Sequence, residues 1–217
     1  MRTTLAVTTQ PAAEPVTVAQ VKQHCRIDNG ADDELLAGYL TAARIMAEGY
    51  LSRALVTQTL LWTVRPSADA GERRERFGSR LMRAIELPRA PVQSVSSVTV
   101  TDLWGNVTAL APAALPAAAG ATLAGYVADL AFAPSLLRFG SGTLLVDGTP
   151  LRHADIDALQ VAMVAGYGGP ANVPATIAVA VMMTTAFLYE HRGDAGGDMP
   201  AAARALLDRD RLQFLGG

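Results

Sequence analysis

The sequence predicts an α+β fold: a helical core from N- and C-terminal helix pairs, with an inserted antiparallel β-rich region. Three observations carry this. Apolar residues recur at spacings of three and four before residue 53 and again after residue 174. Between these segments the period falls to two, in short runs separated by Gly, Asn, Asp and Ser. Each helical pair alone is too small for a good core, so the simplest packing brings the two pairs together. The expected boundaries are 1–53 for the N-terminal helical part, 54–168 for the β-rich insertion, and 169–217 for the C-terminal helical part and tail.

Thr17-Val18-Ala19-Gln20 has the form of a capping box and opens a short helix with the stripe Val18, Val21, Cys25. Asp28-Asn29-Gly30 stops it. Asp32, Asp33 and Glu34 then put acid at the start of a second helix. Leu35, Leu36, Tyr39, Leu40, Ala43, Met46 and Tyr50 give that helix about five turns. From Val56 to Arg65 apolar residues alternate with Thr and Arg, which reads as a strand. Further strands are expected over Ala84–Leu87, Val92–Thr101, Val107–Leu110, Tyr126–Phe132, Leu136–Phe139, Thr143–Val146 and Ala158–Ala165. Gly105-Asn106, Gly140-Ser141-Gly142 and Asp147-Gly148 supply turns, and Ala111–Ala124 reads as a surface loop. Pro174 suits the first turn of an apolar helix that ends at Arg192, where Gly193 fits a left-handed cap. Pro200 opens a last helix ending near Leu212.

The chain has 217 residues, enough to fold without disulfides or metal, and its single cysteine, Cys25, excludes an internal disulfide framework. Half of the residues are hydrophobic, which excludes wholesale disorder. With a net charge of −2, any nucleic-acid contact must be a local patch. No export signal is visible over Met1–Pro15. The apolar stretch Ala175–Tyr189 is shorter than the ~20 residues of a membrane span and contains Thr176, Thr184 and Thr185, so a buried helix is expected. Its apolar character covers more than one face, which suits either a central core helix or one covered by a neighbouring subunit. Val179, Met182, Met183 and Phe187 are the candidate subunit-interface residues.

Chemistry is sparse. His24, His153 and His191 are the only histidines, and none lies in an HExxH pattern. Gly-x-Ser-x-Gly, GxxxxGK[ST] and GxGxxG motifs are all absent. His153, Asp155 and Asp157 form a paper ligand set that a solvated turn explains as well. Glu190, His191, Asp194 and Asp198 read as polarity at a helix end. His24 and Cys25 are adjacent on a helix, point about 100° apart and do not pair, so Cys25 reads as a small core thiol. Arg192-Gly193-Asp194 spells an adhesion tripeptide but sits at a helix terminus. No catalytic residue, metal or cofactor is expected, and no enzyme. The least bland polar segment is Glu72–Arg83, where Arg73, Arg74, Arg76, Arg80 and Arg83 outnumber Glu72 and Glu75 and Phe77 is free to stack. It suits contact with DNA or an acidic partner, and equally a solvated loop with internal ion pairs.

Several blocks then carry a resemblance. Glu14-Pro15-Val16-Thr17-Val18-Ala19-Gln20-Val21 through Asp28 is followed by Asp32-Asp33, Leu35, Leu36, Ala42, Ala43 and Arg44. Leu51-Ser52-Arg53-Ala54-Leu55-Val56-Thr57-Gln58-Thr59 is similar to the phrase TGRALITQT, with Ser52 in place of Gly. Leu87-Pro88-Arg89-Ala90-Pro91-Val92-Gln93-Ser94-Val95 is similar to LPRPPLQSV. Ala165-Gly166-Tyr167-Gly168, Val173-Pro174 and Tyr189-Glu190-His191-Arg192 complete the set. In this order the blocks resemble the head–tail connector, or adaptor, proteins of long-tailed bacteriophages and gene transfer agents. Leu103–Asp157 has no firm counterpart, and the segment Arg65–Arg83 is longer and more basic than in the family.

The resemblance implies a structural virion protein. It forms a cyclic ring with itself, dodecameric by that likeness, at the head–tail joint, or neck, of a virion made in the bacterial cytoplasm. Its implied partners are the portal protein, the next neck or tail-completion protein and the passing double-stranded DNA whose channel it lines, with no membrane. Within it, Arg209, Arg211, Gln213, Phe214 and Leu215 are candidate portal contacts. Two other readings stay open: another phage morphogenesis component, such as a tail-completion or minor head protein, and a DNA-binding module with salt-sensitive duplex affinity.

Overall fold

The computed structural model describes residues 2–65, 84–113, 125–139, 144–146, 149–151, 156–192 and 198–212. Helices and antiparallel sheets mix in an α+β architecture, as the sequence predicts. The chain divides into two compact units, a β unit of Met1–Gln10 with Gln58–Ala165 and a helical unit of Pro11–Thr57 with Gly166–Gly217.

In the helical unit, α1 (Val18–Cys25) starts at the expected capping box. The Gln20 amide donates to Thr17 Oγ1 at 3.2 Å, and the Thr17 amide donates to Gln20 Oε1 at 2.7 Å. The helix ends at Arg26, in a left-handed conformation with φ 56°. Helix α2 (Asp33–Leu51) buries Leu36, Leu40, Ala43, Ala47 and Leu51, the stripe its three-and-four spacing requires. It ends at Ser52, again left-handed with φ 55°, which accounts physically for the glycine in the resembling phrase. Helix α3 (Ala175–Glu190) begins one residue after Pro174, and α4 (Ala201–Leu207) one after Pro200. The last helix is shorter than expected, because a 3-10 turn over Asp208–Asp210 replaces its final turn. All four helices contribute to one buried cluster, from Val21, Leu36 and Leu40 to Ile177, Val181 and Leu207. Thr184 and Thr185 lie inside it, and their hydroxyls donate to the Ala180 and Val181 carbonyls at 2.8 Å each. Those bonds remove the penalty of two buried hydroxyls.

The β unit is built on a five-stranded sheet of order β1-β2-β10-β4-β5, antiparallel throughout. Its members are β1 (Arg2–Thr9), β2 (Gln58–Arg65), β4 (Val92–Asp102), β5 (Val107–Leu110) and β10 (Ile156–Ala165). A three-stranded sheet orders β3 (Ile85–Glu86), β7 (Leu136–Phe139) and β6 (Tyr126–Asp129) as β3-β7-β6, and β8 (Leu144–Val146) pairs with β9 (Thr149–Leu151). In β2 the burial alternates strictly, with Gln58, Leu60, Trp62 and Val64 inside. Strand β6 stops at Asp129 rather than reaching Phe132, which is exposed. Strand β10 starts two residues earlier than predicted, so Ile156 and Asp157 belong to it rather than to a turn. Strand β1 has no counterpart in the sequence reading.

Candidate interaction surfaces

Helix α3 separates its residues by spacing. Ile177, Ala180, Val181, Thr184 and Thr185 are buried. Val179, Met182, Met183 and Phe187, at i, i+3, i+4 and i+8, follow one flank. Val179 is 39% exposed and the other three are half-buried. The sequence-derived interface residues therefore do lie together. Val179 and Met182 also line an apolar groove of about 770 Å³ with Pro15, Val18, Leu40 and Val173. The Phe187 ring stacks on His191 at 4.2 Å.

At the C-terminal end of α3, Asp32 accepts from Tyr189 Oη at 2.6 Å and from Arg192 at 3.1 Å. The Arg192 guanidinium lies 4.2 Å over the Tyr189 ring. The Tyr189 and Arg192 hydrogen bonds hold the Asp32 carboxyl below the usual carboxylate range, and the same carboxylate pushes Tyr189 up. Asp32 is the N-cap residue of α2, yet its side chain makes no cap hydrogen bond. Arg192 of the adhesion-like tripeptide is thus occupied by an internal ion pair; Gly193 and Asp194 lie outside the described residues. Among the described residues no cluster of His, Cys, Asp and Glu is arranged to hold a metal ion. His153 and Asp155 lie outside them. Burial, then the Glu190 charge, push the Cys25 thiol up, and the residue packs against the helical core. Both effects oppose a reactive thiolate.

A buried charge cluster escaped the sequence reading. Arg44, 2% exposed, donates to Glu14 at 2.8 Å and to Glu48 at 3.1 Å. Glu14 also accepts from Thr41 Oγ1 at 2.8 Å, and Glu48 Oε1 accepts from the Leu55 amide at 2.9 Å. The i,i+4 spacing of Arg44 and Glu48 is a sequence signal; Glu14, thirty positions away, is not.

The C-terminal segment lies back on the helical unit. The Leu212 amide donates to the Leu51 carbonyl at 3.1 Å, and Arg53 Nε to the Asp210 carbonyl at 2.6 Å. Tyr50 bonds Asp208, and Arg211 lies 4.8 Å over the Tyr50 ring. Of the candidate portal contacts, Arg209 and Arg211 are exposed, while Gln213, Phe214 and Leu215 lie outside the described residues. So do Arg73, Arg74, Arg76, Arg80 and Arg83.

The β4–β5 turn presents a second feature missed from sequence. The Asp102 carboxylate accepts from the Trp104 amide at 2.9 Å and from the Asn106 amide and side chain at 2.8 Å each. Gly105, at φ 88°, supplies the left-handed turn residue. This fixed tip carries Leu103 and Trp104 outward, 45% and 71% exposed. Among the described residues no helix is long and apolar enough to cross a membrane.

Comparison with known proteins gives two findings. Residues 15–102 match the family model of phage gp6-like head–tail connector proteins, which bears out the motif-level resemblance over that stretch. Solved structures extend the likeness to almost the whole chain. A chain of the virion of a native gene transfer agent particle is 25% identical with a TM-score of 0.69, covering 98% of this chain and 98% of that one. A chain of the neck of an empty gene transfer agent particle, computed with C6 symmetry, is 26% identical with a TM-score of 0.68, covering 99% of this chain and 98% of that one. A chain of the neck of the native particle, computed with C12 symmetry, is 25% identical with a TM-score of 0.65 over the same shares. No curated protein matches.

Proposed function

We propose that this chain, a head–tail connector by its residues 15–102, is a structural adaptor of a virion neck, without catalytic activity or cofactor. It assembles as a cyclic ring that joins the portal to the next neck or tail-completion protein and lines the channel for double-stranded DNA. The observation that carries this reading is the near-full-length likeness to chains of solved particle necks. A ring needs two different complementary faces on each subunit. The helical unit, Pro11–Thr57 with Gly166–Gly217, supplies lateral faces, with Val179, Met182, Met183 and Phe187 as one of them. The β-rich part, 54–168, reaches other layers. The tail beyond Leu212 docks on the portal together with Arg209 and Arg211, and the Arg73–Arg83 segment meets DNA or an acidic neighbour. The chain is made in the bacterial cytoplasm and ends in the virion neck.

The test is electron microscopy of particles made with and without the gene. DNA-filled heads lacking tails in its absence, and a neck ring in its presence, are the expected result. Normal tailed particles without it overturn the reading. Deleting Gln213–Gly217 weakens portal binding if the tail docks there, and unchanged binding refutes that contact.

A further inference from the structure

Strand β1 lies at one edge of the five-stranded sheet and β5 at the other. We propose that β1 of one copy pairs with β5 of the next, so that the sheet continues from subunit to subunit; this rests on the ring reading above.

The first argument is the state of β1. Its register sets Thr3, Leu5 and Val7 beside Val64, Trp62 and Leu60. Paired residues share a face, and Val64, Trp62 and Leu60 are buried. The apolar face of the sheet therefore runs out onto β1, yet Leu5 is only half-buried and Val7 is 43% exposed. Ordering each residue costs about 1–2 kcal/mol of backbone entropy, and a ladder bond returns only about 0.5–1.5 kcal/mol. Eight residues held along one edge, with almost no side-chain burial, lack the packing that normally offsets that cost. Their outer edge also lacks the usual protection. From Thr3 to Thr9 there is no charge, no proline and no covering element among the described residues.

Strand β5 matches it. Val107–Leu110 is uncharged, Val107 on the opposite face is 64% exposed, and among the described residues the ladder of this strand runs to β4 alone. Only beyond it do Ala111 and Ala113 bond Tyr126. Thr108 and Leu110 continue the face of Val100 and Val98, which is the face of Thr3, Leu5 and Val7. Joining the two edges thus continues that face across the joint.

Symmetry selects β5 over a second β1. Two β1 edges pair about a two-fold axis, which does not relate neighbouring copies in a cyclic ring of more than two, whereas opposite edges of one sheet are two different surfaces. Five strands, each antiparallel to its neighbour, leave β1 and β5 running the same way. The joint is therefore parallel. Four residues of β5 make it short, so it holds only where each copy is gripped at both edges.

Disulfide trapping in assembled particles tests this. In a full-length Cys25→Ala chain, cysteines replace Thr4 or Ala6 and Val107 or Ala109, all on the opposite face of the sheet, in four pairwise combinations. Neck rings are scored by electron microscopy before oxidation. The expected result is a ladder of covalent oligomers on non-reducing gels from Thr4→Cys/Val107→Cys and Ala6→Cys/Ala109→Cys together, or from a single crossed combination if the register is shifted. Ladders from both crossed combinations mean an antiparallel joint and overturn the proposal. So do dimers from Thr4→Cys alone, which mean a two-fold β1 contact. Visible neck rings without any ladder overturn the edge pairing and leave the adaptor role standing. Absence of any ring overturns both.

Discussion

Replacing Arg44 by Met removes a cation held almost wholly inside the helical unit while keeping most of its volume. Arg44 is 2% exposed and bridges two carboxylates, at 2.8 Å to Glu14 and 3.1 Å to Glu48. Removing one partner of a buried ion pair typically costs about 3–5 kcal/mol, because the other charge is left without compensation. Glu48, with its side chain 8% exposed, pays that penalty nearly in full, while Glu14, 24% exposed, turns partly to water. The expected loss is therefore near the low end, about 3 kcal/mol, or roughly a hundredfold in the folding equilibrium. With a urea m-value of about 2–3 kcal/mol/M, the midpoint falls by about 1–1.5 M. Far-UV circular dichroism is the right probe, because it follows the helices, whereas Trp62 and Trp104 both sit in the β unit. Adding Glu48→Gln removes the buried negative charge that Arg44 balanced and keeps an oxygen for the Leu55 amide, so the double variant recovers more than about 1 kcal/mol. A loss below about 1 kcal/mol in Arg44→Met, or no recovery in the double variant, refutes the reasoning.

Gly166 has φ 127°, and a Cβ there would sit 2.6 Å from the Val56 carbonyl group and 2.7 Å from the Thr57 nitrogen. Gly166→Ala is therefore expected to lose well over about 1 kcal/mol, read as a fall in Tm; an unchanged Tm refutes the clash. Ser52→Gly relieves a left-handed serine. It is expected to gain up to about 1 kcal/mol, the roughly 1–2 kcal/mol conformational penalty less the freedom glycine adds to the unfolded chain. Urea midpoints check it, and destabilisation is the refuting result. The Asp32 pKa is held down by Tyr189 and Arg192. Its contribution is thus complete above the unfolded value of about 3.9 and is lost as pH falls through the lower folded value. Asp32→Asn is expected to lower stability at neutral pH and flatten its decline in acid. A variant as steep in acid as the parent shows that other carboxylates set that slope.

The helices were legible because period, caps and stops agree locally. Thr17 and Gln20 mark the start of α1, and Leu36, Leu40 and Ala43 of the expected stripe mark the buried face of α2, to which Ala47 and Leu51 add while Leu35 stays exposed. Strand β2 was legible for the same reason, since Leu60, Trp62 and Val64 alternate with residues that face away. Strand β1 was not, because Leu5 and Val7 alone, among threonines with neither face buried, make too short an alternation to read. The extra residues at the start of β10 come from its pairing with β4, where Ile156 faces Asp102, a long-range fact absent from local sequence. Val179, Met182, Met183 and Phe187 share one flank of α3, as helical spacing alone dictates. Trp104 was missed because exposure of a hairpin tip depends on the Asp102 carboxylate that shapes the turn. The Glu14–Arg44 pair was missed because contact across thirty residues is decided by how the segment before α1 crosses α2.

The cluster around Arg44 also stands where the chain enters and leaves the helical unit. Entry after residue 10 is tied through Glu14, and departure after residue 57 follows Leu55, whose amide Glu48 holds. At the second entry, residue 166, the Tyr167 amide donates to the Leu55 carbonyl at 3.0 Å and the Thr57 amide to the Gly168 carbonyl at 3.0 Å. Two of the three crossings are therefore tied directly to α2 side chains, and the third to the backbone just beyond that helix. Glu14 and the Leu55 amide thus reach the same pair of α2 side chains, so the first two crossings are linked through Arg44 and Glu48.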